Sequence, residues 1–197
     1  MNRLLLILIL TLSLHSWSKA DDIRDFEIEG ISIGDSLLDF IDIIKINKKV
    51  NTYSDKGYIY KSNKFYALTF DSYDFDTKLN RYDQIQFHLK DKDDSFIIES
   101  IAGIKLYEND FNDCYSFLKI REKEADSIFG KDNKNKFVDE NEGVVTKRLG
   151  MFYNLTGDSN LYIACENWTI KSKIPDNFAL VLNSSIIQDW LNNEAYK

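Results

Sequence analysis

Histidine is the side chain most often used as a general base near neutral pH, and this 197-residue chain has two, His15 and His88. His15 falls in an N-terminal stretch that reads as an export signal, which leaves His88. It sits in Gln84-Ile85-Gln86-Phe87-His88-Leu89-Lys90, where apolar and polar residues alternate. That period of two predicts a half-buried antiparallel strand, with Ile85, Phe87 and Leu89 inward and His88 on the polar face. Its neighbours in register, Gln86 and Lys90, offer no carboxylate to orient the ring. The expectation is an exposed strand histidine, and no catalytic residue is assigned. Nor is there a Gly-x-Ser-x-Gly elbow or a clustered-glycine phosphate loop to support a serine hydrolase or a nucleotide site.

Cys114 and Cys165 are the only cysteines. An even count in an exported chain predicts one disulfide, here stapling a helix to a strand. Two cysteines and one histidine without local spacing do not make a zinc site, so no metal and no cofactor is expected. The acids cluster twice, at Asp71, Asp74 and Asp76 and at Asp91, Asp93 and Asp94. Oxygen-rich loops can hold Ca²⁺, but Asp91-Lys92-Asp93-Asp94-Ser95-Phe96 lacks the glycine and the distal Glu of an EF-hand loop, so acid-rich turns are expected. A glycosidase would need two carboxylates remote in sequence, and nothing singles out a pair. Aromatics gather at Tyr58, Tyr60, Tyr66, Phe70 and Tyr73. They fit a stacking platform for sugar or peptide less well than plain sheet packing.

The elements that must position these groups follow from periodicity. Leu37, Leu38, Ile41 and Ile44 recur at helical spacing, so a helix is predicted over about 35–46, with a polar loop over 47–57. Strands follow at 65–73, 82–90 and 96–106, a three-stranded meander. A second helix runs from Asn109 or Asp110 to Phe129, stopped by Gly130. Its stripe is Phe111, Cys114, Leu118, Ala125 and Ile128, and its wet side is Glu122, Lys123, Glu124 and Asp126. Residues 131–142 are charged and read as an exposed loop. Strands are predicted at 144–154, 160–169 and 178–183, then a short helix from Ser184 or Ser185 carrying Ile187, Trp190 and Leu191. Blocks of strands between helices predict an α+β fold with antiparallel sheet, in one domain over 21–197. Helix then meander is predicted twice, a two-unit repeat over 31–107 and 109–183.

Residues 1–20 read as an address. Arg3 precedes the apolar run Leu4–Leu14, and Ser18-Lys19-Ala20 offers small residues for cleavage after Ala20. Eleven residues, broken only by Thr11 and Ser13, rise about 16 Å as a helix, half of what a membrane core requires. Loss of this segment removes Arg3 and Lys19 and no acid, so the mature net charge becomes −9 from −7. Periplasmic or secreted localisation follows, without a membrane span. So acidic a chain has no general basic face for nucleic acid.

Ile28-Glu29-Gly30-Ile31-Ser32-Ile33-Gly34-Asp35-Ser36-Leu37-Leu38 and the ending Trp190-Leu191-Asn192-Asn193-Glu194-Ala195-Tyr196 resemble uncharacterised exported proteins of Pelagibacter-like marine bacteria. A helix opened by Ile33-Gly34-Asp35-Ser36 and followed by a meander is similar to small periplasmic α+β modules of the outer-membrane assembly lipoprotein and β-lactamase-inhibitor-protein type. The resemblance implies a fold class and no activity. The chain lacks the lipid-anchor cysteine of the first type and has no matched inhibitory residues of the second. The expected function is an exported, non-catalytic module binding a protein or small ligand. The alternative is a carboxylate-dependent hydrolase acting on a glycan.

Overall fold

The computed structural model describes residues 23–55, 60–76, 78–107, 111–142, 145–169 and 175–197. The predicted export signal, the cap positions Asn109 and Asp110, and Tyr58 lie outside them. The fold is α+β and antiparallel. A two-residue hairpin, β1 (Glu27–Ile28) and β2 (Ile31–Ser32), precedes helix α1 (Ile43–Asp55). Then come β3 (Phe65–Asp71), β4 (Gln84–Lys90) and β5 (Ile98–Tyr107). Helix α2 (Phe111–Phe129) leads into β6 (Lys134–Glu142), β7 (Val145–Asn154), β8 (Asn160–Trp168) and β9 (Asp176–Asn183), and helix α3 (Ser185–Asn193) closes the chain.

Strands β3 to β9 form one sheet in the order β3-β4-β5-β9-β8-β7-β6. The two meanders therefore join at the centre, where Ile101 pairs with Leu182 and Gly103 with Leu180. One face of the sheet carries the main core. Tyr66, Leu68 and Phe70 of β3, Ile85, Phe87 and Leu89 of β4, and Leu161, Ile163 and Cys165 of β8 all point to it. Alternation in sequence thus becomes one buried layer, with helix α2 laid across β8 and β9 and α1 against β3. The predicted disulfide is formed: Cys114 of α2 and Cys165 of β8 are bonded, Cα–Cα 5.9 Å, both fully buried.

Four expectations are corrected. The first helix is displaced. Leu37–Asp39 is a single 3₁₀ turn capped by Ser36, and α1 begins afresh at Ile43, where Asp42 Oδ1 accepts the Ile44 N–H at 2.7 Å. Leu38 and Ile44 are exposed, so the apparent stripe is not one face, and the predicted loop 47–57 is helical to Asp55. The charged stretch 131–142 is a strand from Lys134, because β7 supplies every backbone partner an edge strand needs whatever its side chains are.

On α2, Ile128 is exposed and Phe129 is the buried end of the stripe, while Glu122 is buried and Asp126 half-buried. Lys134 at the start of β6 explains both acids: its Nζ lies 2.8 Å from Glu122 and 2.7 Å from Asp126. Lastly, the face of β4 that carries His88 is not wet. Helix α3 packs on it through Ile187 and Trp190, joined by Ala195 just after the helix and by Phe65 and Tyr60, and makes a second small core.

Candidate functional site

Helix α3 covers only part of the second sheet face. Between it and the uncovered strands runs a cleft of about 590 Å³, within the range of small-ligand sites. Its floor follows from strand alternation. Pairing aligns His88 with Ser100, Ser100 with Asn183 and Asn183 with Asn160, so one polar row crosses β4, β5, β9 and β8. A second row runs Gln86, Ala102, Val181, Tyr162 and Phe152.

From Ser100 onward the polar row is a hydrogen-bonded chain. Ser100 Oγ donates to Asn183 Oδ1 at 2.7 Å, Asn183 Nδ2 to Asn160 Oδ1 at 3.1 Å, and Asn160 Nδ2 to Gln188 Oε1 at 2.7 Å. Gln188 lies on α3, so the chain ties helix to sheet. Neutral amides and hydroxyls dominate this lining. Its charged pair is Arg148 and Glu166, held by an Nε–Oε1 contact of 2.8 Å, with the Tyr162 hydroxyl donating to the same oxygen at 3.2 Å. Burial opposes the Arg148 charge, but Glu166 and its other neighbours outweigh that and raise its pKa. Tyr162 is driven up in pKa by burial first and then by Glu166, so it stays a phenol.

His88 lies at the covered end of the cleft and is 8% exposed. Its Nε2 is 2.8 Å from the Tyr60 hydroxyl, and the Trp190 ring stands edge-on to it at 6.5 Å. Burial pushes its pKa down to about 4, so the ring is neutral at physiological pH. A neutral imidazole has one N–H and one lone pair. With Nε2 spent on Tyr60, the buried Nδ1 has no hydrogen-bond partner. Leaving such a group unsatisfied costs about 1–3 kcal/mol, and it is usually explained by strain, function or an additional molecule.

The remaining candidates disperse. Tyr66 and Phe70 face the main core, Tyr60 the cleft, and Tyr73 is 80% exposed, so the sequence cluster is no platform. The aromatic patch that does form was not foreseen. Phe137 of β6 stacks on Tyr162 (5.6 Å, 15°) and lies 6.4 Å from Phe152. The signal was their shared parity on β6, β7 and β8, invisible while 131–142 reads as a loop. Among the acids, Asp71 accepts from Tyr73 and Gln84, and Asp74 faces Lys49 at 3.5 Å. Asp93 caps the N–H groups of Ser95 and Ile97. Among the described residues, no three His, Cys, Asp or Glu side chains gather as a metal site requires.

Compared with protein-family models, curated proteins and solved structures, the chain finds no match in any of the three.

Proposed function

We propose that this protein is an exported, non-catalytic binding module, and that its ligand is uncharged, rich in hydroxyl groups and seated in the cleft under α3. The observation that carries this reading is the run of neutral amides along the cleft, Asn183, Asn160 and Gln188, hydrogen-bonded to one another with the neutral His88 in register beside them. A hydroxyl can donate or accept, so it suits a lining of amides that present both donors and acceptors. Tyr162 and Phe152 offer half-exposed rings beside the same row for stacking. A charged ligand would find its counter-ions already paired in Arg148 and Glu166. Export is supported by the Arg3–Ala20 pattern and by the Cys114–Cys165 bond, and among the described residues no helix is long and apolar enough to cross a membrane.

The hydrolytic reading requires a second carboxylate facing Glu166 across a substrate. Among the described residues, Glu166 is the one carboxylate in the lining of the cleft, and it is fastened to Arg148, which weighs against acid–base work there.

The test is a backbone-amide NMR titration with maltotriose, cellotriose and chitotriose. Shifts should concentrate at Gln86, Asn160, Tyr162, Val181 and Gln188, and should weaken in Tyr162→Ala. Silence of these amides to all three at millimolar concentration refutes the ligand class. Cleavage products that disappear in Glu166→Gln would establish the hydrolase instead.

A further inference from the structure

The sheet ends in two edge strands of opposite character. At one edge β3 is packed on both faces, with residues 65–68 and 70 buried. At the other, β6 pairs with β7 without a register shift, and among the described residues no element pairs with its outer side. None of the β6 side chains from 134 to 140 is buried. Val138, the aliphatic residue in the middle of the strand, is 65% exposed. An edge of this length, with unpaired N–H and C=O groups, is a template for another strand unless something blunts it. β6 has neither a proline nor a bulge to do so.

Charge is the other device that keeps edges apart, and here its arrangement selects a partner. Alternation sets Lys134, Lys136, Val138 and Glu140 in one row, on the α2 side, where both lysines reach Glu122. Val138 lies midway between Lys136 and Glu140. A second β6 laid parallel and in register would set lysine against lysine and glutamate against glutamate. Laid antiparallel about Val138, it sets each Lys136 opposite Glu140 of the other copy, and the two Val138 side chains meet on the two-fold axis. An axis at Lys136, Asp139 or Glu140 would put that residue opposite its own copy, which repels. An axis at Phe137 would leave Lys136 facing Val138 and offer Glu140 only Lys134, which is committed to Glu122 and Asp126.

Both members of the intermolecular pair are accessible, Lys136 at 57% and Glu140 at 62% exposure. Each has a contact within its own chain, Lys136 Nζ to Glu122 at 2.6 Å and Glu140 to Lys147 at 3.6 Å. An ammonium has three N–H donors and a carboxylate about four acceptor sites, so contacts to a second copy add to these without displacing them. On the other face each Phe137 falls opposite Asp139 of the second copy, and the two Phe137 residues become diagonal neighbours about 7–8 Å apart, within reach for aromatic rings. The stack of Phe137 on Tyr162 and Phe152 would then continue across the junction.

We infer that β6 is a self-association edge. Two copies of this chain join antiparallel about Val138, and their seven-stranded sheets become one continuous sheet with a two-fold axis perpendicular to it. That axis keeps α2 of both copies on the same side. The inference does not depend on the ligand of the cleft under α3.

Sedimentation equilibrium of the mature chain, from micromolar to millimolar concentration, tests it. A reversible monomer–dimer equilibrium should appear, dissociating on dilution because one strand a side is a small interface. Glu140→Lys should weaken the dimer about tenfold or more, since it sets like charges opposite each other at two symmetric places. Lys136→Glu/Glu140→Lys should restore it, with circular dichroism melts showing that each variant is folded. Val138→Cys, at an exposed position, reads the register independently. Residues directly opposite have Cα atoms about 4.5–5.5 Å apart, within the reach of a disulfide. Mild oxidation should therefore cross-link Val138→Cys into a dimer and leave Lys136→Cys uncross-linked. A chain that stays monomeric at millimolar concentration overturns the proposal. So does a dimer indifferent to Glu140→Lys whose Val138→Cys form does not cross-link, since its interface lies elsewhere. Amide exchange in β6 that is slowed by an alternating Thr-Val octapeptide, and not by raising the protein concentration, would assign the edge to a foreign strand and overturn it as well.

Discussion

The Tyr60 hydroxyl and His88 Nε2 sit 2.8 Å apart, roofed by Trp190, whose indole N–H donates to Ser62 Oγ at 3.0 Å. Three segments far apart in the chain, around residues 60, 88 and 190, thus meet over one imidazole. The ring is kept neutral because α3 excludes water from it, and not because any charge repels its proton.

Stability should consequently depend on His88 in mildly acidic solution. In the unfolded chain the ring titrates near 6.5, and in the fold near 4. Between those values the unfolded state binds more protons, so stability rises with pH across that window and is lost as pH falls through it. At pH 5 the loss relative to pH 8 is about 2 kcal/mol from this group. Urea unfolding of the parent and of His88→Gln at both pH values should show that increment in the parent alone. Identical pH dependence in the two proteins would mean that the ring is not buried neutral.

Trp190 is fully buried, and truncation to Ala should cost about 3–5 kcal/mol. The informative readout is His88. With the roof gone, water reaches the ring and its pKa should climb back toward 6.5, measurable by NMR of the imidazole protons. A folded Trp190→Ala protein with an unmoved His88 titration would separate the histidine's burial from α3.

Lys134 bridges Glu122 and Asp126 where α2 meets the edge strand, and the Tyr153 hydroxyl donates to Asp126 at 2.7 Å. Burial works against both carboxylates, but the Lys134 contacts, joined by Lys136 at Glu122 and by the Tyr153 hydroxyl and Lys131 at Asp126, outweigh it and hold each below its usual range. Groups with depressed acid pKa values stabilise the fold above their unfolded pKa values and cease to do so as pH falls through the folded ones. Lys134→Met should therefore move the acid-unfolding midpoint to higher pH, followed by tryptophan fluorescence. An unchanged midpoint would place the network outside the determinants of acid stability.

The Cys114–Cys165 bond closes a separation of 51 residues, worth about 4 kcal/mol in the chain-entropy description. Cys114→Ala/Cys165→Ala should lose a comparable amount in urea unfolding, with α2 the first element to gain amide exchange. Thiol labelling of the unreduced parent should modify neither residue. Ready labelling, or a double variant as stable as the parent, would refute the staple.

Much of this architecture is legible along the chain, wherever the cause is local or combinatorial. The β4 alternation of Ile85, Phe87 and Leu89 places a core face because a strand turns its side chains over at every residue. Two cysteines can pair in one way only. Gly130 stops α2 where the apolar spacing ends, at left-handed φ. What the chain could not announce is which surfaces meet. His88 has the spacing of an exposed residue and becomes buried because α3, a hundred residues later, docks on the opposite face. Glu122 belongs to a wet stripe until Lys134 arrives beside it. The edge strand β6 has polar side chains on both faces, and only pairing with β7 makes it a strand. Burial, pKa and cleft geometry are set by such long-range contacts. Residue type and period decide which face a side chain takes, and tertiary packing alone decides whether that face meets water.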